Sequence, residues 1–167
     1  MENFKEEIWD KLKENNKVLT FLNKQYLWCS ILKVNDEYFL GILNDGTWSV
    51  KTNLNLFLLD DEKSFLKMVV LLEQPLDDTK ARIEEFFKKA QVSVNIQETF
   101  PFEKIVQAGF EFGTPYWAEK AFTWYDKLKI EEKVQLKNSL DKLKNEKWLS
   151  QKLKQKVRKE LKLLENV

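Results

Sequence analysis

The scarcity of glycine and proline constrains the fold of this chain more than any other feature of its sequence. Only four glycines and three prolines occur among its 167 residues. Because these two residue types supply most tight turns and helix ends, the sequence predicts long regular elements, which favours helix. A chain of this length forms one domain or two closely packed subdomains, and it can bury a core without a disulfide or a metal ion.

The first part of the chain predicts a helix followed by a small antiparallel sheet. Residues 1–12 place their apolar side chains on one helical face. Residues 18–22 and 26–34 are rich in the aromatic and β-branched residues that strands favour. The run Asn44-Asp45-Gly46 tolerates positive φ and separates two further apolar segments, so it predicts a hairpin turn. We interpret the simplest sheet as a three-stranded meander.

The segment after this sheet is ambiguous from sequence alone. Residues 54–59 could form a buried strand or the start of a helix. Asp60 and Asp61 indicate the start of a helix, and Asp77 or Asp78 indicates the start of the next one, because carboxylates stabilise helix N-termini.

Residues 101–167 predict helices throughout. Gly109 and Gly113 are expected to break the first of them. Thr114 precedes a proline and predicts the cap of the next helix. Ser150 predicts the cap of the last helix, whose buried edge consists of Leu153, Val157, Leu161 and Leu164.

These elements together predict an α+β fold. We expect an α+β subdomain over residues 1–98 and a helical subdomain over residues 99–167, packed together as one compact unit. The apolar runs are too short to cross a bilayer, and the first residues lack the pattern of a secretion signal. We therefore expect a cytoplasmic protein with no membrane association.

The residue types needed for most catalytic and metal sites are missing. The chain has no histidine and a single cysteine, which excludes Ser-His-Asp and Cys-His chemistry and cysteine–histidine zinc sites. Four scattered glycines cannot form a phosphate-binding loop. Cys29 lies in an apolar stretch and predicts a small core residue. We predict no catalytic residue, no cofactor and no metal. Pairs of acidic residues leave a carboxylate-based enzyme open as an alternative.

Charge is divided unevenly along the chain. Residues 1–100 carry 13 lysines and arginines against 17 acidic residues, whereas residues 101–167 carry 15 against 10. The cations concentrate on the last helix, where Lys152, Lys156 and Lys159 are candidate binding residues. Such a helix could contact nucleic acid or an acidic protein, or its lysines could simply be solvated and complement the helix dipole. The scarcity of arginine disfavours base recognition.

Aromatic residues are concentrated between residues 100 and 125, where nine of 26 positions are aromatic. Exposed aromatic side chains commonly anchor protein interfaces. The loop-like stretch after residue 109 therefore suggests a partner-binding surface, although the same rings could close over the core. The candidate residues are Phe110, Phe112, Tyr116 and Trp117.

Residues 113–156 begin with Gly113-Thr114-Pro115-Tyr116-Trp117-Ala118, continue through Ala121-Phe122-Thr123-Trp124 and end in a basic helix. This pattern resembles small uncharacterised bacterial proteins, some of which look like immunity proteins of toxin systems. It is a helix-packing pattern that implies no functional residues, and this chain has lysine where the pattern has Arg-His. The resemblance implies an immunity-like protein that blocks a cognate partner. Our leading hypothesis is a non-enzymatic protein-binding domain, and the alternatives are a nucleic-acid-associated protein and a carboxylate-based enzyme.

Overall fold

A computed structural model describes residues 12, 16–21, 24–93 and 95–165 of the chain. The described part begins with strands and continues with helices, which confirms the α+β class. The predicted N-terminal helix lies outside the described residues except for Leu12, which is helical and buried. The chain divides into a sheet unit, residues 1–67 and 77–100, and a helical unit, residues 68–76 and 101–167.

Five antiparallel strands of the described chain form the sheet, and they lie side by side in sequence order. The predicted three-stranded meander therefore omitted two strands. The hairpin at Asn44-Asp45-Gly46 is confirmed, since Gly46 has a φ of +80° and the N–H of Leu43 donates to the carbonyl of Thr47 at 2.9 Å. The ambiguous segment 54–59 supplies the last strand. The strands are β1 (Asn16–Phe21), β2 (Lys24–Lys33), β3 (Phe39–Leu43), β4 (Trp48–Lys51) and β5 (Leu56–Leu58).

The side chain of Trp28 on β2 ties together the three middle strands. Its ring lies over Gly41 on β3, where any Cβ atom would collide with the indole and with a backbone carbonyl of β2. Its Nε1 donates to the hydroxyl of Ser49 on β4 at 3.0 Å. The neighbouring Cys29 is fully buried, as predicted, and burial raises the pKa of its thiol to about 11. The thiol is therefore a protonated core group.

The helix α1 (Leu76–Lys89) begins with the two predicted acidic residues in its first turn. A short helix, α2 (Ile96–Thr99), follows it. The rings of Phe87 and Phe100 both pack edge-on against Trp48, with centroid distances of 6.4 and 4.8 Å. The indole Nε1 of Trp48 donates to the carbonyl of Thr99 at 2.8 Å. We call Trp48, Phe87 and Phe100 the buried aromatic cluster, because none is more than 8% exposed.

A 3₁₀ helix, Ser64–Glu73, begins in the last residues of the sheet unit and continues into the helical unit. The N–H of Ser64 at its start donates to the carboxylate of Asp61 at 2.7 Å. Its length is unusual, since 3₁₀ runs beyond four residues are uncommon.

None of the helices in the described ranges combines the length and apolar character needed to cross a bilayer. The remaining helices are α3 (Phe102–Glu111), α4 (Pro115–Tyr125), α5 (Ile130–Gln135), α6 (Lys137–Leu143) and α7 (Gln151–Leu164).

The prediction that Gly109 breaks a helix is wrong, because α3 continues through it. A Cβ at this position would lie 2.5 Å from Cδ1 of Leu72 and 2.8 Å from Cβ of Ala121. The glycine is therefore required for the close approach of α3 to α4. Gly113 does lie beyond the end of α3, with a φ of +85°, which is the usual conformation of a glycine after a helix.

Both predicted helix caps are present. The hydroxyl of Thr114 accepts the N–H of Trp117 at 3.4 Å, with Pro115 as the first residue of α4. The hydroxyl of Ser150 accepts the N–H of Leu153 at 3.3 Å at the start of α7. The predicted apolar edge of α7 is buried along its whole length.

Candidate partner-binding surface

Phe110 is the one predicted aromatic contact residue that lies in the core. Its side chain is only 2% exposed. Its ring packs 4.8 Å from that of Phe122 and 6.1 Å from that of Tyr125, measured between centroids. It points inward because it lies on the face of α3 that packs against α4. Phe110 is therefore a core residue rather than a contact residue.

The other three predicted aromatic residues lie together on the surface of the helical unit. Phe112 and Tyr116 are 44% and 49% exposed, and Trp117 is half-buried between them. The ring of Trp117 lies 5.6 Å from that of Phe112 and 4.9 Å from that of Tyr116, between centroids. The turn from α3 to α4 brings them together, because Phe112 follows α3 while the other two occupy the first turn of α4. We call them the surface aromatic cluster.

Tyr116 is held in place from two sides. Its hydroxyl donates to the Oε1 atom of Glu73 at 2.8 Å, and this hydrogen bond raises the pKa of the phenol. The ammonium group of Lys120 lies 5.7 Å from the centre of the same ring, within the range of a cation–π contact. Because these contacts fix the ring before any partner arrives, little side-chain entropy remains to be lost on binding.

A groove of about 250 Å³ lies between residues 72–76 and α4, and two of its lining residues, Glu73 and Lys120, contact Tyr116. Tyr116, Lys120, Thr123 and Lys127 recur at helical spacing and so share one face of α4 and of the turn after it. The opposite wall is fixed by a hydrogen bond of 2.8 Å from the indole of Trp124 to the carbonyl of Gln74. Pockets for small molecules usually measure ~300–1,000 Å³, so this groove suits a single protruding side chain better. Its lining residues are Leu72, Glu73, Gln74, Pro75, Leu76, Lys120, Thr123 and Lys127.

The predicted lysines form a separate row on α7. Lys152, Lys156 and Lys159 share one side of the helix by their spacing, and we call them the lysine row. Lys152 and Lys159 are exposed, whereas Lys156 is half-buried. The ammonium group of Lys156 lies 2.5 Å from a carboxylate oxygen of Asp126 and 4.7 Å from the centre of the Phe122 ring. Lys156 therefore links α7 to the C-terminal end of α4.

The lysine row and the surface aromatic cluster are not brought together. Phe122, which Lys156 contacts, lies five residues after Trp117 on α4. At 3.6 residues per turn this places the two side chains about 140° apart around the helix axis. The sequence-predicted residues therefore form two different surfaces of the helical unit.

Two acidic residues of the helical unit, Glu103 and Glu132, lie close enough for their charges to interact. Burial raises the pKa of Glu103 on α3, a hydrogen bond from its own backbone N–H lowers it, and the charge of Glu132 on α5 raises it. A carboxylate oxygen of Glu132 accepts the backbone N–H of Lys129 at 2.7 Å. Both carboxylates thus satisfy the N–H groups of a first helical turn. Within the described ranges, no group of three or more histidine, cysteine or acidic residues could hold a metal ion.

Sequence reasoning missed Glu73 and Lys120, which complete the surface around Tyr116. The four-residue spacing of Tyr116 and Lys120 was a usable signal, because such pairs meet on a helix face. No comparable signal exists for Glu73, which lies 43 positions before Tyr116.

Comparisons of the chain with protein-family models, curated proteins and solved structures gave no significant match. The geometry of the chain itself therefore carries the functional argument.

Proposed function

We propose that this chain is a non-enzymatic protein-binding domain that contacts its partner through the surface aromatic cluster. The observation that carries the proposal is the exposure of Phe112 and Tyr116, each close to half, in a cluster that also includes Trp117. Leaving large aromatic surface in water forgoes the stabilisation that burial provides. Tyrosine and tryptophan are the residues that most often dominate the binding energy of protein interfaces.

The resemblance of residues 113–156 to small uncharacterised bacterial proteins, some of which look like immunity proteins, is consistent with this proposal. The resembling segment contains Tyr116 and Trp117, two of the three residues of the surface aromatic cluster, but the resemblance itself assigns no role to single residues. In the immunity-like form of the proposal, the chain covers a functional surface of a cognate protein and so blocks it. The partner would then bury the cluster and the adjoining groove.

The test is affinity purification of the tagged full chain from cells of its source, with partners quantified by mass spectrometry. The test variant combines Tyr116→Ala and Trp117→Ala. The control is Leu163→Ala, which removes an exposed apolar side chain from α7, outside the cluster. We expect one partner in stoichiometric amounts with the natural chain and the control. The double variant should weaken its binding by about 30-fold or more, since interface hot spots contribute ≥ ~2 kcal/mol.

Circular dichroism of all three proteins shows whether each remains folded. Equal retention of the partner by the double variant would contradict the proposal, and so would the absence of any specific partner. Nucleic acid that elutes with the chain and depends on Lys152 and Lys159 rather than on the cluster would also overturn it. That result would favour the nucleic-acid-associated alternative, whose affinity falls steeply with salt.

A further inference from the structure

We infer that the groove beside the surface aromatic cluster receives an acidic segment of the partner protein, in which an apolar side chain is flanked by carboxylates. This inference rests on the proposed function and specifies the chemistry of the partner at the same site. The groove and the cluster form one continuous surface, because Glu73 lines the groove and binds the hydroxyl of Tyr116.

The charges around the groove favour an acidic occupant. Lys120 and Lys127 both line the wall that α4 provides. In the described part of the chain, Glu73 is the single acidic residue that lines the groove, and its carboxylate already accepts the hydroxyl of Tyr116 at 2.8 Å. The two ammonium groups outnumber the one carboxylate, so the lining of the groove has a net positive charge that favours a carboxylate on the partner. A basic segment would instead be repelled by both lysines.

The charge of the whole helical unit has the same sign as the groove. Residues 68–76 and 101–167 together carry 15 lysines and arginines against 11 acidic residues. A positive excess of this kind raises the rate at which an acidic protein meets the surface and disfavours basic partners. The whole of this excess comes from residues 147–165, so it attracts an acidic partner to the helical unit, while Lys120 and Lys127 act at the groove itself.

The apolar surface that the groove offers lies at its edge. Leu72 and Leu76 line the groove but are fully buried, so the exposed Pro75 is the apolar residue that a partner side chain would contact. An apolar side chain placed there would cover Pro75 and lie near the ring of Tyr116. Apolar contact would supply the affinity, while the lysines would select the charge of the neighbouring residues.

The experiment uses a random peptide library displayed on phage and selected against the immobilised full chain. A parallel selection against the variant with Tyr116→Ala and Trp117→Ala identifies peptides that need the cluster. Synthetic copies of those peptides are then titrated by fluorescence anisotropy into the natural chain and into a charge-reversal variant, Lys120→Glu with Lys127→Glu. The matched control, Lys137→Glu with Lys147→Glu, changes the net charge equally at exposed lysines that do not line the groove.

We expect the cluster-dependent peptides to carry net negative charge and at least one apolar residue. The Lys120/Lys127 reversal should weaken their binding by about tenfold or more, and the control by less than about threefold, because exposed charges outside the contact are screened. Cluster-dependent peptides that are neutral or basic, or that tolerate the reversal, would overturn this inference and leave the proposed function standing. Failure to obtain any cluster-dependent peptide would overturn the inference and count against the proposed function as well.

Discussion

The two aromatic clusters of this chain each contain one ring pair of nearly the same geometry, in opposite surroundings. Trp48 and Phe100 meet edge-on at 4.8 Å with an interplanar angle of 77°, and Tyr116 and Trp117 meet at 4.9 Å and 78°. The first pair is almost completely buried, whereas Tyr116 is about half exposed. Contact between rings therefore does not distinguish a core from a binding surface.

The difference lies in what satisfies the polar atom of each cluster. The indole of Trp48 donates to a backbone carbonyl of its own unit, as a buried donor must. The hydroxyl of Tyr116 donates to an exposed carboxylate at the surface. The buried aromatic cluster is thus enclosed by its own unit, while the surface aromatic cluster keeps one side exposed to solvent.

The largest expected effect comes from emptying the buried cluster. Phe100→Ala should lower the free energy of unfolding by ~3–5 kcal/mol, the usual cost of removing a core phenylalanine. Phe112→Ala, at the surface, should lower it by less than about 1 kcal/mol. Urea denaturation followed by circular dichroism measures both values. Similar losses for the two variants would mean that both clusters serve the core.

The second effect concerns the helix pair that displays the surface cluster. Gly109→Ala should cost ~1–3 kcal/mol, because the added methyl group must displace Leu72 or separate α3 from α4. The comparison variant is Gly113→Asn, which should cost less, about 1 kcal/mol or below, because its cost is only that of a side chain at positive φ. Asparagine tolerates positive φ, and no atom lies within 4 Å of the added Cβ. Chemical denaturation that ranks these variants in the opposite order would contradict this view of the helix pair.

A smaller loss is expected at the cap of α4, which orients Tyr116 and Trp117. Thr114→Ala removes the oxygen that accepts the N–H of Trp117 and should cost about 1 kcal/mol. Thr114→Ser keeps that oxygen and should be nearly neutral. Thermal unfolding of both variants provides the measurement, and equal melting temperatures would show that the cap contributes nothing.

The smallest effect is expected at Tyr125, whose buried hydroxyl has no partner in good hydrogen-bond geometry within the described residues. Burial, and then the charge and hydrogen-bonding of the nearby Glu160 carboxylate, raise the pKa of this phenol far above its usual range. Tyr125→Phe should leave the stability within about 0.5 kcal/mol or increase it, because it removes a buried polar atom whose contact with Glu160 has poor hydrogen-bond geometry. A loss above about 1 kcal/mol in urea denaturation would show that the hydroxyl is satisfied in solution.

The features that the sequence predicts correctly depend on a few neighbouring residues. The Asn44-Asp45-Gly46 turn and the caps at Thr114 and Ser150 are each determined by local backbone chemistry. The buried edge of α7 follows from helical periodicity alone. These predictions hold because no distant contact opposes them.

The features that the sequence does not predict depend on distant contacts. Gly109 looks like a helix breaker until Leu72 and Ala121 are seen beside it. Phe110 and Phe112 are equally apolar and two positions apart, yet only the packing of α3 on α4 places one inside and the other outside. The contact of Tyr116 with Glu73 joins residues with no shared local pattern. The three residues of the surface aromatic cluster were therefore accessible from the sequence, and the groove beside them was not.

The division of the chain into two units limits how recombination can exchange parts of its gene. The chain crosses between the units three times, after residues 67, 76 and 100. A gene segment that encodes only residues 101–167 would omit Glu73 and Gln74, and with them the acceptors for the hydroxyl of Tyr116 and the indole of Trp124. A contiguous gene segment that encodes the whole helical unit must also encode residues 77–100 of the sheet unit, so we expect the surface aromatic cluster and the sheet to be inherited together.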